Sequence, residues 1–462
     1  MAAVCLLAVG CGPDAKGGGG GGADTGPQPG ADARDAAADA GVDAAPDTSP
    51  PRPDTSPEVD GGADVAVDAA PMSDAGEPDA SETGTDAGPT PSYHLYAASQ
   101  TGSSSSEYLV AEVGPATSAA NSVIGSQTYG IGDLAVTKSD GRPFVLNRRC
   151  SGPGGSGSCM SNAGEVLHVG LDASSMLAAS TTLSLPTDVF NPQGVGYVAA
   201  ANRYVVSSYA DPRVFTYDAS GSRRSTSWDT SPFDAGSTTT DKDPEVSDIL
   251  VDGNFVLVNL LRLSGFMPQK NSALAVIDIQ NGEFVDFDTT TPRTDALELP
   301  GKNSFAGLRR TGSGNFAVGF TGSFGSQDGG ITLIERSAAG DYTVGGEIVS
   351  ESTLGGDLNG FVMTSDTEGY ALVSSTSSGS FTTRLKHFTT TSSGGQVSTI
   401  QAIENATGAI CITPDRRQVW VADKASGHEG LWGIATGSDA VVNSQAVAPG
   451  GTVRSCRIVA GD

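Results

Sequence analysis

Histidine is scarce in this chain, at four residues in 462. Imidazole is the commonest metal ligand and acid–base group, so this scarcity weighs against a histidine-built metal centre. Aromatic residues make up only 6%, and 26 bases face 53 acids, a formal charge of −27. A polyanion with no basic stripe and no interleaved aromatics repels a phosphate backbone, which excludes nucleic acid as a partner. No stretch offers about 18 consecutive apolar residues, so no segment reads as a membrane-spanning helix. Helical periodicity is nearly absent. No nucleophile elbow, phosphate loop or dinucleotide fingerprint stands in the strand-turn-helix context that would give it meaning.

What is present is unevenly distributed. Residues 12–92 carry 17 acids against 3 bases in a background of Gly, Ala, Asp, Pro, Thr and Ser, as in "DAAADAGVDAAPDTSPPRPDTSPEVDGGADVAVDAAP". This segment lacks the branched and aromatic residues needed to offset chain entropy, and its like charges repel. It is expected to be an extended, disordered stalk. Ahead of it stands "MAAVCLLAVGC" (1–11), apolar with small residues before Cys11. That stretch resembles a bacterial lipoprotein signal. The resemblance implies a signal over 1–11, acyl chains on Cys11, and attachment to a membrane through lipid with no spanning helix. It also implies a place in the cell envelope, at the outer membrane or surface of a Gram-negative bacterium.

At Tyr93 the composition turns to Val, Ile, Leu, Tyr and Thr in runs of four to eight, bounded by Gly, Ser, Asn and Asp, which reads as short antiparallel strands. One run recurs seven times at intervals of about fifty to sixty residues: "YHLYAAS" (93–99), "RPFVLNR" (142–148), "NRYVVSS" (202–208), "GNFVLVN" (253–259), "GNFAVGF" (314–320), "EGYALVS" (368–374) and "RQVWVAD" (417–423). Each copy is followed by another run, and six are preceded by one. The first copy has no predecessor, while a spare run, "VRSCRIVA" (453–460), follows the last. The expectation is an all-β, seven-bladed β-propeller over 93–462, its first blade closed by the C-terminal strand. A pair of stacked sandwiches would not explain why the run missing at one end reappears at the other.

"ITPDRRQVWVADKASGHEGLWGI" (412–434), with its Pro-Asp turn, apolar middle strand and polar break, resembles a YVTN-type propeller repeat of bacterial surface and exported proteins. "LAVTKSDGRPFVLNRR" is a looser match, and "DPRVFTYDASG" and "ALAVIDIQNGE" resemble the ends of such units. Members of that group include binding proteins and a few enzymes, so the resemblance speaks to architecture more than to chemistry.

Four cysteines lie beyond the signal. Cys150 and Cys159 flank "SGPGGSGS" and are placed for a local bridge in an exported protein. Cys411 and Cys456 fall in the first strands of the seventh and first blades, where they either bridge the ring closure or remain two buried thiols.

The turns between first and second strands are tight, as in "KSDG" and "PDRR", whereas those between second and third strands are long. Long loops on a rigid base are the usual binding face. The candidate contacts there are Arg148, Arg149, Tyr209, Asp211, Arg213, Arg262, Lys270, Asp423, Lys424 and His428. Acids at the entrances to first strands, Asp133 and Asp248 with Glu245 and Asp357, are either turn formers or carboxylates for catalysis or Ca2+; no other cofactor is expected.

Two readings of function follow. The first is a monomeric, membrane-tethered, non-catalytic recognition or scaffolding propeller that binds a protein or glycan through its long-loop face. The alternative is a propeller hydrolase of lactonase type, or a lyase, using axial carboxylates.

Overall fold

A computed structural model describes residues 93–460, apart from 102–104, 114–122, 130–133, 149–163, 172–176, 188, 190, 210, 235–242, 265–266, 292–293, 338, 378–379, 392–393 and 449–450; over 101–129 it describes backbone alone. The signal and stalk expected over 1–92, Cys11 among them, lie outside the described residues, as do the Cys150–Cys159 pair, Arg149 and Asp133.

The described chain is an all-β propeller. Six sheets have four or five strands, one has three, and a two-stranded ribbon stands apart. Within each of the larger sheets nearly every strand pairs antiparallel with its sequence neighbour, running from the axis outward. The exception is the first sheet, ordered Val123–Tyr129, Ser105–Val113, Tyr93–Thr101, Thr452–Ala460. Its innermost strand is supplied by the far end of the chain, with Tyr93 opposite Ala460 and Ala97 opposite Cys456. The spare run therefore completes the first sheet as expected.

Burial follows position in the sheet. Second strands are covered on both faces by neighbouring sheets, so they read as unbroken apolar runs instead of alternating ones. Gln418–Asp423 is buried at all six positions. Outer strands meet water, and Arg223–Asp229 is exposed at every residue except Trp228.

The sheets are joined by apolar clusters, each shared between two neighbours. Val205, Val214 and Trp228 of one sheet pack with Val256, Val258 and Ile277 of the next. Tyr93, Leu95 and Cys456 of the first sheet pack with Trp420 and Leu431 of the last. Trp420 is fully buried in this closing cluster, so truncating it to Ala would cost about 3–5 kcal/mol. The innermost strands touch in a closed cycle: Thr452–Ala460, Leu134–Ser139, Pro192–Val198, Val246–Asp252, Gly307–Arg310, Asp357–Met363, Ala406–Ile412, and back to Thr452–Ala460.

Two details sharpen the expectation. Cys411 and Cys456 form a disulfide across adjoining innermost strands, with Cα atoms 5.7 Å apart. Of the alternatives left open by the sequence, the bridge is the one formed. The last sheet has three strands where its neighbours have four or five. In place of a fourth there are isolated bridges from Leu431 to Val447 and from Ile434 to Val441. The reason is local: the Asn443 side chain accepts from the Gly433 N–H at 2.8 Å, taking a ladder bond that a backbone strand would have made, while the Leu431 carbonyl keeps its bond from the Val447 N–H.

Candidate functional site

Because the innermost strands all run the same way about the axis, their first residues gather at the long-loop end of a central channel and their last residues at the short-turn end. Two cavities lie along it. The first, about 150 Å3, draws its lining from all of these strands and includes Arg148, Gln193, Asp248, Arg309, Ser455 and Arg457. The second, about 220 Å3, lies at the short-turn end and is lined by Lys138, Arg309, Arg310, Arg416 and Arg457 among Met363, Ile412 and Ile458.

Asp248 is the carboxylate of the first cavity. One oxygen accepts from the Ile249 N–H at 2.9 Å, and the other from the Leu308 N–H at 3.2 Å and the Arg309 guanidinium at 3.1 Å. Gly307 makes this approach possible. Its φ of +84° lies in the left-handed region, and a Cβ there would stand 2.8 Å from the Asp248 oxygen. Arg309 is fixed in turn by donating to the Phe361 carbonyl at 3.1 Å and lies over the Phe361 ring. A guanidinium beside Asp248 repels a cation, which argues against Ca2+ at this carboxylate. Among the described residues no group of three metal-ligating side chains occurs.

The second cavity is basic. Lys138 faces solvent in the channel mouth but is crowded by protein, and it donates to the Ile458 carbonyl at 2.7 Å. Crowding first, then the neighbouring Arg457 and Arg416, push its ammonium down from the ordinary lysine value to about 8. Arg457 is lowered to about 10 for the same principal reason and by Arg309, with Asp248 partly offsetting. Arg416 is lowered by burial and by Arg310, against the opposing pull of Asp366. Arg309 pairs with Asp248 and Arg310 with Asp252, each at 3.1 Å.

Of the residues expected to meet at the long-loop face, the structure brings Arg148 to the first cavity, where it joins Asp248 from the acids expected at first-strand entrances. Arg148 is steadied there by the Gln193 side chain at 3.1 Å. The others are dispersed. Asp211 and Arg213 pair with each other at 2.6 Å. Tyr209 donates its backbone N–H to the Asn191 carbonyl. Arg262 is buried, held by Glu298 and the Phe233 carbonyl, each at 2.7 Å, beside a lateral cleft of about 490 Å3 that also includes Lys270. Asp423 is buried and accepts from the N–H groups of Glu404, Asn405 and Ala425, a turn-forming role. Lys424 is half-buried, its ammonium lowered by burial and Arg454. His428 lies against Trp432 and 4.0 Å from Glu404. Glu245 and Asp357 cap loop N–H groups of Leu263 and Gly325, so both are turn formers.

Sequence reasoning missed the basic end of the channel. Lys138, Arg309, Arg416 and Arg457 each sit near the end of an innermost strand or in the turn after it. The short turns had been read only as connectors. Aligning the repeats at that register, rather than at the middle strand, would have placed the cations together.

No family model matches the chain, and no curated protein matches it. Solved structures do. A periplasmic gluconolactonase from Pseudomonas aeruginosa superposes with a TM-score of 0.51 at 14% identity, covering 80% of this chain and 99% of that one. A protein of Bacteroides uniformis, provisionally described as a 6-phosphogluconolactonase, gives 0.55 at 11% identity over 80% of this chain and all of that one. A counterpart from Bacteroides fragilis gives 0.51 at 12% over 83% of this chain and all of that one. At such identities the likeness is one of fold.

Proposed function

We propose that the chain is a seven-bladed propeller hydrolase that opens lactones of small sugar acids in the axial channel, with the three-stranded sheet as its seventh blade. The observation that carries this reading is the Asp248–Arg309 pair in a cavity that also holds Arg148 and Arg457. The fold likeness to lactonase-type propellers supports it. In the proposed step a guanidinium of Arg457 or Arg148 polarises the lactone carbonyl while Asp248 accepts a proton from the attacking water. Water oxygen bonds to the carbonyl carbon, and the ring C–O bond breaks. The ring oxygen takes the proton held by Asp248 and leaves as a hydroxyl, the second water proton passes to solvent, and the product is a hydroxy acid whose carboxylate is stabilised by the surrounding cations.

The test is turnover of gluconolactones by the full chain in mildly acidic buffer, where spontaneous opening is slow. Turnover above the buffer rate that is lost in Asp248→Asn supports the proposal. No turnover on any lactone, or full activity in that variant, defeats it.

One observation favours the recognition reading instead. Asp248 already accepts three hydrogen bonds, two of them from backbone, which leaves its oxygens less room to receive a water. In that reading the channel holds a ligand without changing it, and a protein or glycan partner docks at the long-loop face.

For either reading we propose a lipid anchor on Cys11, a monomer held at the cell envelope, and blades of YVTN type. Incorporation of labelled palmitate that disappears in Cys11→Ala tests the anchor.

A further inference from the structure

The short-turn cavity holds five cations, Lys138, Arg309, Arg310, Arg416 and Arg457, in a protein whose net charge is −27. Two of them have carboxylate partners, Asp248 and Asp252. For Lys138, Arg416 and Arg457 the structure shows no ion pair with a carboxylate among the described residues. They meet backbone carbonyls instead, at Ile458, at Arg310, Met363 and Thr311, and at Cys456 respectively.

Capping strand-end carbonyls is the plain structural role for such groups, but it accounts for them poorly. Neutral donors would cap those carbonyls without placing like charges side by side. Lys138 spends one of its three ammonium hydrogens on Ile458 and keeps two for the cavity. Arg416 occupies a left-handed position, φ +60°, where the turns of other blades place Gly141, Gly253 or Gly314, or the short polar residues Asp140 and Asn202. Backbone strain of this kind persists where the surroundings and the role of the side chain sustain it. The remaining wall is apolar, with Met363, Ile412, Pro414 and Ile458, so an anion inside is weakly screened.

We propose that the short-turn end of the channel is a binding site for a compact dianionic oxyanion, held by Lys138, Arg416 and Arg457. Phosphate and sulfate have the required charge and size, free or as the terminal group of a small molecule. The site shares Arg309 and Arg457 with the cavity of Asp248 but holds its anion through Lys138 and Arg416 as well, and it stands whether or not a lactone is turned over. Occupancy would relieve the repulsion among the cations that, after burial, makes Lys138 and Arg457 easier to deprotonate.

The test uses the full chain, titrated with inorganic phosphate and with sulfate by calorimetry at constant ionic strength, with chloride as the matched control. The variants are Lys138→Met, which keeps the side-chain length, and Arg416→Gly, which suits the left-handed backbone and so folds without added strain. Saturable binding of one dianion per chain, weakened roughly tenfold by either change, is the expected result. Arg223→Gln, on an exposed outer strand, leaves binding unchanged. Without ligand, Lys138→Met melts at the same temperature as the parent or higher, because a crowded charge has gone. The proposal is overturned by an equal response to chloride, by no saturable binding in the parent, or by Lys138→Met melting several degrees lower with phosphate binding intact. Lactone turnover measured on the same samples separates this result from the hydrolase reading: binding survives in Asp248→Asn even if turnover does not.

Discussion

The two ends of the axial channel are built from the same strands and face opposite electrostatic situations. At the long-loop end a carboxylate is saturated by two backbone N–H groups and one arginine, so its charge is fully answered by neighbours. At the short-turn end several cations crowd together with carbonyls for company. A group whose charge is answered inside the fold is a structural element or a poised reactant. Groups whose charge is left over point to something that arrives from outside. Loop length suggested that the first end would be the only place to look, and charge bookkeeping along the strands shows why that was too narrow.

Removing the strand common to both ends breaks the comparison most severely. A chain stopping short of Thr452 loses Ser455 from one cavity, Arg457 from both, and the innermost strand of the first sheet. It is expected to lose cooperative thermal unfolding and to elute as an expanded or aggregated species in size-exclusion chromatography, because the exposed strand edge of Tyr93–Thr101 is left unpaired.

Next in size is Asp248→Asn, which separates the ends by touching one. On the hydrolase reading, lactone turnover falls by a factor on the order of a hundred or more while phosphate binding persists. Steady-state rates and calorimetry on one sample check it.

Cys411→Ser with Cys456→Ser removes the latch between the last and first sheets. The expected cost is about 2–4 kcal/mol, read as a lower midpoint in denaturant, with a slope equal to or steeper than the parent's because the unlinked unfolded chain exposes more surface. A midpoint equal to that of the oxidised parent would show that strand pairing alone carries the closure.

The smallest effect is one of pH. Lys138 has a folded value near 8 against an ordinary 10.5. Between these values the unfolded chain keeps a proton that the folded protein has released, so stability rises with pH across that window. The penalty is fully present below about pH 8. Its amplitude is small because the ammonium is open to solvent and screened. Lys138→Met should flatten that part of the stability profile, measured as denaturant midpoint against pH.

Much of the architecture was legible in the sequence because it rests on repetition and on burial. "RQVWVAD" and its counterparts are continuous apolar runs because second strands are covered on both sides, and "VRSCRIVA" could be assigned to the first sheet because the first copy lacked a predecessor. The break in a fourth strand of the last sheet was not legible, since it turns on a single side chain, Asn443, that takes the Gly433 N–H. The candidate site was legible only in part. Asp248 and Arg148 were named and do line the channel. Arg262 and Asp423 look like ligand contacts in a one-dimensional reading, but each is consumed by partners close in space. Lys138 and Arg457 are 319 residues apart and meet only because the ring closes. No local pattern announces such a meeting.

The closure has a consequence for biogenesis. Because the first sheet waits for residues 452–460, a nascent polypeptide cannot assemble either cavity until those residues have been made. Activity of any kind is deferred until then. The Cys411–Cys456 link adds a second delay, since thiols join only where the surroundings are oxidising. Timing is thereby written into a single pair of adjoining strands, and a chain kept in reducing surroundings would carry its channel unlocked.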